Sequence, residues 1–329
     1  MPANLPPQYY EEERKLKTAR SQEEKIAILE SLLRLMPKHK GTEKLQAEIK
    51  RRLSKARFEE GKKSGGKRQA DEHHIPREGA GQVALAGLPN SGKSTLLAAL
   101  TNASPTIAEY PYATLSAVSG MARHENIRIQ LVDLPPIPWE VTDPWVSNIL
   151  RNSDSICLTV ELHDDPAGQA EILLAELTPR RIVPLRTGEE AAGKPEGVFP
   201  KRVFLAGTKL DLPEAEKGLA ALERAFSSLY PVVGISARTG SGTEHFLREA
   251  FRALDRVRVY SKVQGRKPDL ENPFIFRRGT TVLEMAGQIH KDFLTRFRAA
   301  RIFCEDMYDG QKVGKDFVLR DGDVIEILV

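Results

Sequence analysis

The sequence predicts an α/β protein. A mostly parallel sheet covered by helices is preceded by a helical hairpin and followed by a small mixed β/α module. Three observations predict this. From Gly81 to Thr95 the chain reads as strand, loop and helix in that order, GQVALAGLPNSGKST. From there to about Lys262, short apolar runs alternate with amphipathic stretches, which is the βα rhythm of a helix-covered parallel sheet. On either side the rhythm changes, to two amphipathic helices before it and to a strand–helix–strand pattern after it.

The chain of 329 residues is long enough for two or three domains and a sizeable core. Charged residues at 29% and aromatics at 6% belong to an ordinary folded protein. No apolar run approaches the roughly 20 residues needed to span a membrane, so no membrane partner is expected. The first residues, MPANLPPQYYEEERK, hold no apolar signal core. Cys157 and Cys304 both sit in apolar contexts and read as small buried side chains, which suits a reducing cytoplasm better than a disulfide does. The net charge of +4 is unevenly placed. The first 80 residues hold 19 Lys+Arg against 13 Asp+Glu, and the remainder holds 30 against 32. The basic excess therefore belongs to the N-terminal segment.

Residues 1–60 form the expected hairpin. Ile26, Leu29, Leu32, Leu33 and Met36 recur at helical spacing, Pro37–Gly41 is a turn, and Leu45, Ile49, Leu53 and Ala56 line a second helix. That second helix carries Lys50, Arg51, Arg52, Lys55 and Arg57, followed by Lys62, Lys63, Lys67 and Arg68. Such a run fits contact with a phosphate backbone, RNA above all, and fits equally a solvated helix face. Residues 61–80, rich in Gly, Lys and Ser, read as a flexible linker.

Residues 81–262 form the central domain. Its expected strands are Val83–Ala86, Ala117–Ala122, Ile127–Val132, Ser155–Val160, Val203–Ala206 and Val232–Ile235, with helices near 93–102, 143–152, 167–177, 214–229 and 242–257. Arg180–Lys201, rich in Pro, Gly and charge, reads as an exposed loop. Residues 272–329 form the last unit, with a strand at Phe274–Phe276 and one helix from Thr281 to Phe297 opened by a capping box of Thr281 and Glu284. Strands follow at Arg301–Phe303 and Val324–Leu328, the last after an Asp321-Gly322-Asp323 turn. His290 reads as a surface or packing residue, because no Cys or second His stands at metal-ligand spacing.

The chemistry begins at Gly87–Ser94, which fits G-x-x-x-x-G-K-[ST] between a strand and a helix. Gly87 and Gly92 let the backbone close around phosphate with its N–H groups inward, and the helix start adds partial positive charge. Asn90, Ser91 and Thr95 complete the expected phosphate contacts. Lys93 is placed to reach the β- and γ-phosphates, and Ser94 to offer its hydroxyl to Mg²⁺. Asp133 ends an apolar strand, where a carboxylate can hold Mg²⁺ through water. Gly207-Thr208-Lys209-Leu210-Asp211 follows another strand and resembles the guanine-reading N-K-x-D, with Thr in place of Asn. Asp211 can accept both the ring N–H and the exocyclic amine of guanine, which adenine lacks there. The stem of Lys209 can cover the base face. Ser236-Ala237 stands where the remaining base-contacting loop belongs.

With these motifs in order, the central domain resembles the Obg-type GTPases of the translation-factor-related class. Tyr110-Pro111-Tyr112-Ala113-Thr114-Leu115 resembles their switch I, which implies that Thr114 meets Mg²⁺ and the γ-phosphate. The whole layout is similar to the developmentally regulated GTP-binding protein (DRG) branch, with its basic helical N-terminus, GTPase domain and C-terminal TGS domain. GTTVLEMAGQIHKDF resembles the TGS strand–helix junction and VLRDGDVIEIL its closing hairpin. The resemblance implies a β-grasp fold for the last domain, a guanine nucleotide with Mg²⁺ as ligands, and a ribosome- or RNA-linked role.

Two positions depart from the family. Asp133-Leu134-Pro135-Pro136 has Pro where the family has a Gly whose N–H meets the γ-phosphate, and Pro has no N–H. Ile137 offers no side chain to orient an attacking water. Asn90 stands where cation-dependent relatives place a K⁺ ligand, and its alternative role is that of a turn residue. The catalytic set expected is therefore Lys93, Thr114 and Asn90. The reading is a GTPase that slowly converts GTP to GDP and switches conformation, or alternatively a GTP-binding interaction protein without useful turnover. An ATPase is disfavoured, because Lys209 and Asp211 keep the guanine motif.

Overall fold

The computed structural model describes residues 75–101, 106–108, 117–137, 144–191, 193, 195–304 and 309–328, together with residues 9, 12, 14–16, 22–35, 49, 52 and 53. The chain divides into two compact units, Met1–His74 and Ile75–Val329.

In the first unit, helix α1 (Gln22–Leu35) buries Leu29 and Leu32 in a cluster with Tyr9, Ile49 and Leu53. Leu29 with Leu32 and Ile49 with Leu53 are three and four residues apart, so each pair shares a helix face. Arg52 is helical and exposed. The turn at 37–41, the remaining basic residues of 50–68 and most of the expected linker lie outside the described residues.

The second unit is built on an eight-stranded sheet. Its centre is β1 (Gln82–Gly87), buried along its whole length, with parallel neighbours on both sides. The order is β2 (Thr106–Ala108), β3 (Ala117–His124), β4 (Ile127–Asp133), β1, β5 (Ser155–Glu161), β7 (Phe199–Thr208) and β6 (Ile182–Leu185). Strand β8 (Val232–Gly234) also pairs with β7, along its C-terminal half. Only β2 and β3 run antiparallel to their neighbours. Alternation along β1 sends Ala84 and Ala86 into one core and Val83 and Leu85 into the other. Helices α3 (Pro144–Asn152), α4 (Pro166–Leu177) and α5 (Ala215–Phe226) cover the first face. Helices α2 (Lys93–Leu100) and α6 (Thr243–Ala253) cover the second. A parallel sheet buried on both faces explains why its strands read as unbroken apolar runs.

In four places the structure differs from what the sequence predicts. Residues 180–201 are not simply an exposed loop, since Ile182–Leu185 forms β6 and pairs in parallel with Phe199–Arg202. Pro184 and Pro200 hid this pairing, because proline within a run argues against a strand except at an edge, where β6 lies. The linker also ends earlier than residue 80. Ile75 and Ala80 are buried, and Ala80 N–H donates to Arg128 O at 2.8 Å. Gly79, at φ +65°, lies so close to Arg128 O that a Cβ would sit 2.3 Å from it.

The C-terminal module differs from expectation in two further ways. Strand β9 (Arg256–Ser261) belongs to a second, five-stranded sheet and not to the central domain, so the boundary falls near 256 and not 262. That sheet runs β10 (Phe274–Arg277), β9, β13 (Val324–Leu328), β11 (Ala299–Phe303), β12 (Gln311–Val313). The single helix expected from Thr281 to Phe297 is two, α7 (Val282–Ile289) and α8 (Lys291–Arg296). They break at His290, which is extended at φ −155° and accepts Asp292 N–H at its Nδ1 (3.2 Å). Helix α8 folds back on α7, and a Cβ at Gly287 would lie 2.8 Å from Leu294. Thr281 and Glu284 form the capping box read from the sequence. Among the described residues no helix is long and apolar enough to cross a membrane.

Candidate nucleotide-binding site

The site lies at the C-terminal ends of β1, β4, β7 and β8, where open α/β sheets present their binding crevice. Gly87 ends β1. A Cβ there would sit 2.5 Å from both Ser91 Oγ and Thr159 O, so only glycine lets the loop turn back over the strand. Asn90 is exposed in the left-handed region at φ +61°, and Gly92 follows at φ +83°. Asparagine tolerates that conformation, so its geometry matches the turn role. Ser91 is buried, Ser94 and Thr95 are exposed, and α2 starts at Lys93.

The Lys93 ammonium is folded into this loop. It donates to Gly87 O (3.0 Å), Leu88 O (2.9 Å) and Ser91 Oγ (3.3 Å). Burial lowers its pKa, and Asp133 pulls the other way. A buried cation beside backbone carbonyls is the arrangement that an incoming polyphosphate can take over.

Strand β4 delivers Asp133 next to Leu85 of β1. Its Oδ2 accepts the Ser94 hydroxyl at 2.5 Å, while Oδ1 is buried with no hydrogen-bond partner among the described residues. Burial raises the pKa of this carboxyl against the Ser94 hydrogen bond and Lys93. A half-satisfied buried carboxylate beside a hydroxyl is a hard oxygen pair of the type that holds Mg²⁺, so Ser94 and Asp133 fit that ion. The other expected ligand, Thr114, lies outside the described residues.

Past Asp133 the backbone donors are committed. Leu134 N–H donates to Leu85 O (3.2 Å) and Ile137 N–H to Gly87 O (3.1 Å), while Pro135 and Pro136 have none. Pro136 is exposed, and Ile137 is buried in the core of the first face.

At the other end, Thr208 closes β7 with its hydroxyl 2.8 Å from Ser91 O and 3.0 Å from Val160 O. It therefore tethers the phosphate loop to the base loop, a structural task that its single hydroxyl proton can serve. Asp211 Oδ1 accepts Ser236 Oγ (2.6 Å), and Arg238 Nε lies 3.3 Å from Oδ2. The Ser236 hydrogen bond, with Arg238 in support, holds the Asp211 carboxyl below its ordinary pKa. Lys209, at φ +60°, pairs with Glu161 at 2.7 Å. Thr208, Lys209, Asp211, Ala237 and Arg238, together with Gly92, Thr95 and Leu96, line a cavity of about 250 Å³.

The structure thus brings together every expected site residue that it describes. Sequence reasoning missed Glu161 and Arg238. Arg238 directly follows Ser236-Ala237, which was the available signal, whereas Glu161 at the end of β5 carries no local motif.

Residues 82–184 match the family model described as 50S ribosome-binding GTPase, and residues 257–329 match the TGS domain model. A developmentally-regulated GTP-binding protein 1 from Xenopus laevis is 26% identical over 92% of this chain and 98% of its own. The chain is thus similar to the DRG-type GTP-binding proteins along nearly its whole length and carries a TGS domain. The DRG-like chain is also 27% identical to a GTP-binding protein of Methanocaldococcus jannaschii, over 93% of each chain. It is 25% identical to ribosome-interacting GTPase 1 of Saccharomyces cerevisiae, over 93% of this chain and 98% of that protein. A solved GTP-binding protein from Pyrococcus horikoshii shares the fold, with a TM-score of 0.51 at 16% identity over 75% of this chain and 99% of that one. The TGS match begins at 257, in agreement with the membership of β9 in the second sheet.

Proposed function

We propose that this GTP-binding protein hydrolyses GTP slowly with Mg²⁺ and acts as a conformational switch. The observation that carries the reading is the cavity closed by Asp211 and Ser236 at one end, next to the Lys93, Ser94 and Asp133 cluster. Asp211 would accept the two N–H edges of guanine once Arg238 gives way, with the Lys209 stem against the ring. Lys93 would exchange its loop carbonyls for β- and γ-phosphate oxygens, and Gly87, Asn90, Ser91, Gly92 and Thr95 would supply the surrounding cradle. Ser94, Asp133 and Thr114 would hold Mg²⁺, which when bound neutralises charge developing on the phosphates. Asn90 is the proposed side chain for a K⁺ ion beside the phosphates. The protein would work in the cytoplasm beside a ribosome or RNA, reached through its basic N-terminal segment and TGS domain. The yeast relative, ribosome-interacting GTPase 1, supports that direction.

The second reading, a binder with little turnover, is favoured by one observation. No backbone N–H from Leu134 to Ile137 is uncommitted. A γ-phosphate would have to draw Ile137 off Gly87 O, and Pro136 cannot replace it. Hydrogen bonds to charged acceptors contribute roughly 1.5–3 kcal/mol, so GTP and GDP should bind with similar affinity. Single-turnover GTP hydrolysis and the GTP/GDP affinity ratio, measured in Na⁺ and in K⁺ for wild type and Pro136→Gly, separate the readings. The switch reading expects measurable turnover that rises in Pro136→Gly, with the ratio moving toward GTP by about tenfold. A wild type with no turnover in either ion leaves the binder.

A further inference from the structure

The β3–β4 hairpin touches the nucleotide site at one end and the TGS sheet at the other. Its open end carries Asp133, opposite Val118. Its turn, Glu125-Asn126, lies seven residues away along β4, about 20 Å at the rise of an extended strand. There the side chains leave the central domain. Arg258 of β9 donates through Nη1 to the Glu125 carboxylate. The same guanidinium grips Asp321 with two bonds, Nε to Oδ1 at 3.1 Å and Nη2 to Oδ2 at 2.7 Å. Its Cζ stands 5.1 Å over the Phe251 ring at the end of α6. Asn126 Nδ2 donates to the Tyr260 hydroxyl (2.8 Å) and to Leu270 O (2.9 Å). His124 stacks obliquely on Phe251 at 5.9 Å.

Three consecutive residues at the tip are thus engaged, Glu125 by the arginine that also grips Asp321, Asn126 by Tyr260 and Leu270, and His124 on the Phe251 ring that the same arginine covers. The opposite end of the same rigid hairpin is the strand end whose carboxylate faces Ser94 and whose continuation hangs from Gly87 O. A displacement there has a continuous ladder of backbone pairs along which to reach the tip, from Val118–Asp133 to His124–Ile127.

We propose that this hairpin couples the nucleotide to the TGS domain, and that Arg258 is the clasp through which the coupling passes. The inference rests on the switch reading above and extends it by naming the mechanical route. The clasp fastens the hairpin in the position where Asp133 meets Ser94 and Ile137 meets Gly87. By linkage, whatever loosens the clasp must change nucleotide preference, as the nucleotide changes the clasp.

The test uses the full chain with GDP and with a non-hydrolysable GTP analogue. Amide hydrogen exchange is followed over 256–261 and 320–324, and both nucleotide affinities are titrated. The variants are Arg258→Ala and the milder Glu125→Asn, since Glu125 sits at φ +50° and asparagine accepts that conformation. The wild type should show TGS-sheet protection that differs between GDP and the analogue. Both variants should lose that difference, and the analogue-to-GDP affinity ratio should rise by about fivefold. Glu125→Asn keeps the test valid if Arg258→Ala fails to fold. Wild-type TGS exchange that is blind to the nucleotide overturns the coupling, as does a nucleotide-dependent difference that survives Glu125→Asn. If neither nucleotide binds, the switch reading itself fails and the coupling falls with it.

Discussion

The two ends of the cleft are held closed by different means. At the phosphate end the loop is satisfied by itself, with Lys93 on Gly87 O, Leu88 O and Ser91 Oγ within the same eight residues. At the base end, Asp211 is held by Ser236 and Arg238, from a loop beyond β8. The first arrangement is local, and glycine conformations shape it. The second depends on the sheet bringing β7 and β8 side by side. Strength and selectivity divide along the same line. Phosphates are common to all nucleotides, so the self-contained end should supply affinity, whereas the end assembled from two loops should supply choice.

The largest effect should come from breaking the phosphate end. Lys93→Ala should weaken GTP and GDP alike, by about 100-fold or more, and leave the preference for guanine intact. Fluorescent-nucleotide titration checks both quantities, and a changed base preference would mean that the ends are not separable in this way. Asp211→Asn should cost less in affinity, about tenfold to 100-fold for GTP, and should turn preference toward xanthine nucleotides, because the amide can donate to the extra oxygen. Competition between GTP and XTP measures it, and wild-type GTP affinity in the variant would remove Asp211 from base reading.

The smallest effect sharpens the comparison by pH. Burial raises the Asp133 pKa, so this group takes up a proton where an ordinary carboxylate is still ionised. A group whose folded pKa exceeds its unfolded value makes the metal-free fold relatively more stable as pH falls through that window. Mg²⁺ competes for the same oxygens, so the gain in nucleotide affinity on adding Mg²⁺ should shrink by about threefold from about pH 7 to about pH 5. Unfolding midpoints and nucleotide titrations, each taken as wild type against Asp133→Asn, should thus move in opposite directions with pH. Guanine preference at the other end should not follow, because Asp211 is held ionised by Ser236.

What could be read in the sequence follows the same division between local and assembled. Gly87, Gly92, Lys93 and Ser94 were legible because their work is done within one turn of chain. Asp211 and Ser236 were legible because each lies within three residues of the end of an apolar strand. The capping of α7 by Thr281 and Glu284 was legible for the same reason. Strand β6 was not, because its pairing with Phe199–Arg202 is a tertiary fact and Pro184 argued against it. Strand β9 carries alternating charge, RVRVYS, and its membership in the second sheet is set by pairing with β10 and β13. The break at His290 was hidden because Phe293 and Phe297 continue a helical spacing that the fold-back of α8 interrupts. Glu161 and Arg258 meet their partners only across the fold, so no window of sequence could have joined them.

The Thr208 hydroxyl stitches the two ends together, reaching Ser91 O from the strand that leads into the base loop. Its consequence is a chelate effect. Once either half of a nucleotide is seated, the other half meets its own site at a high effective concentration, fixed by how little the two loops drift apart. Guanosine and inorganic pyrophosphate, which hold one half each, should therefore bind far more weakly than the joined molecule. The gap between the joined molecule and its parts measures the stiffness of the link between the two loops, to which the sheet ladder and the Thr208 hydroxyl both contribute.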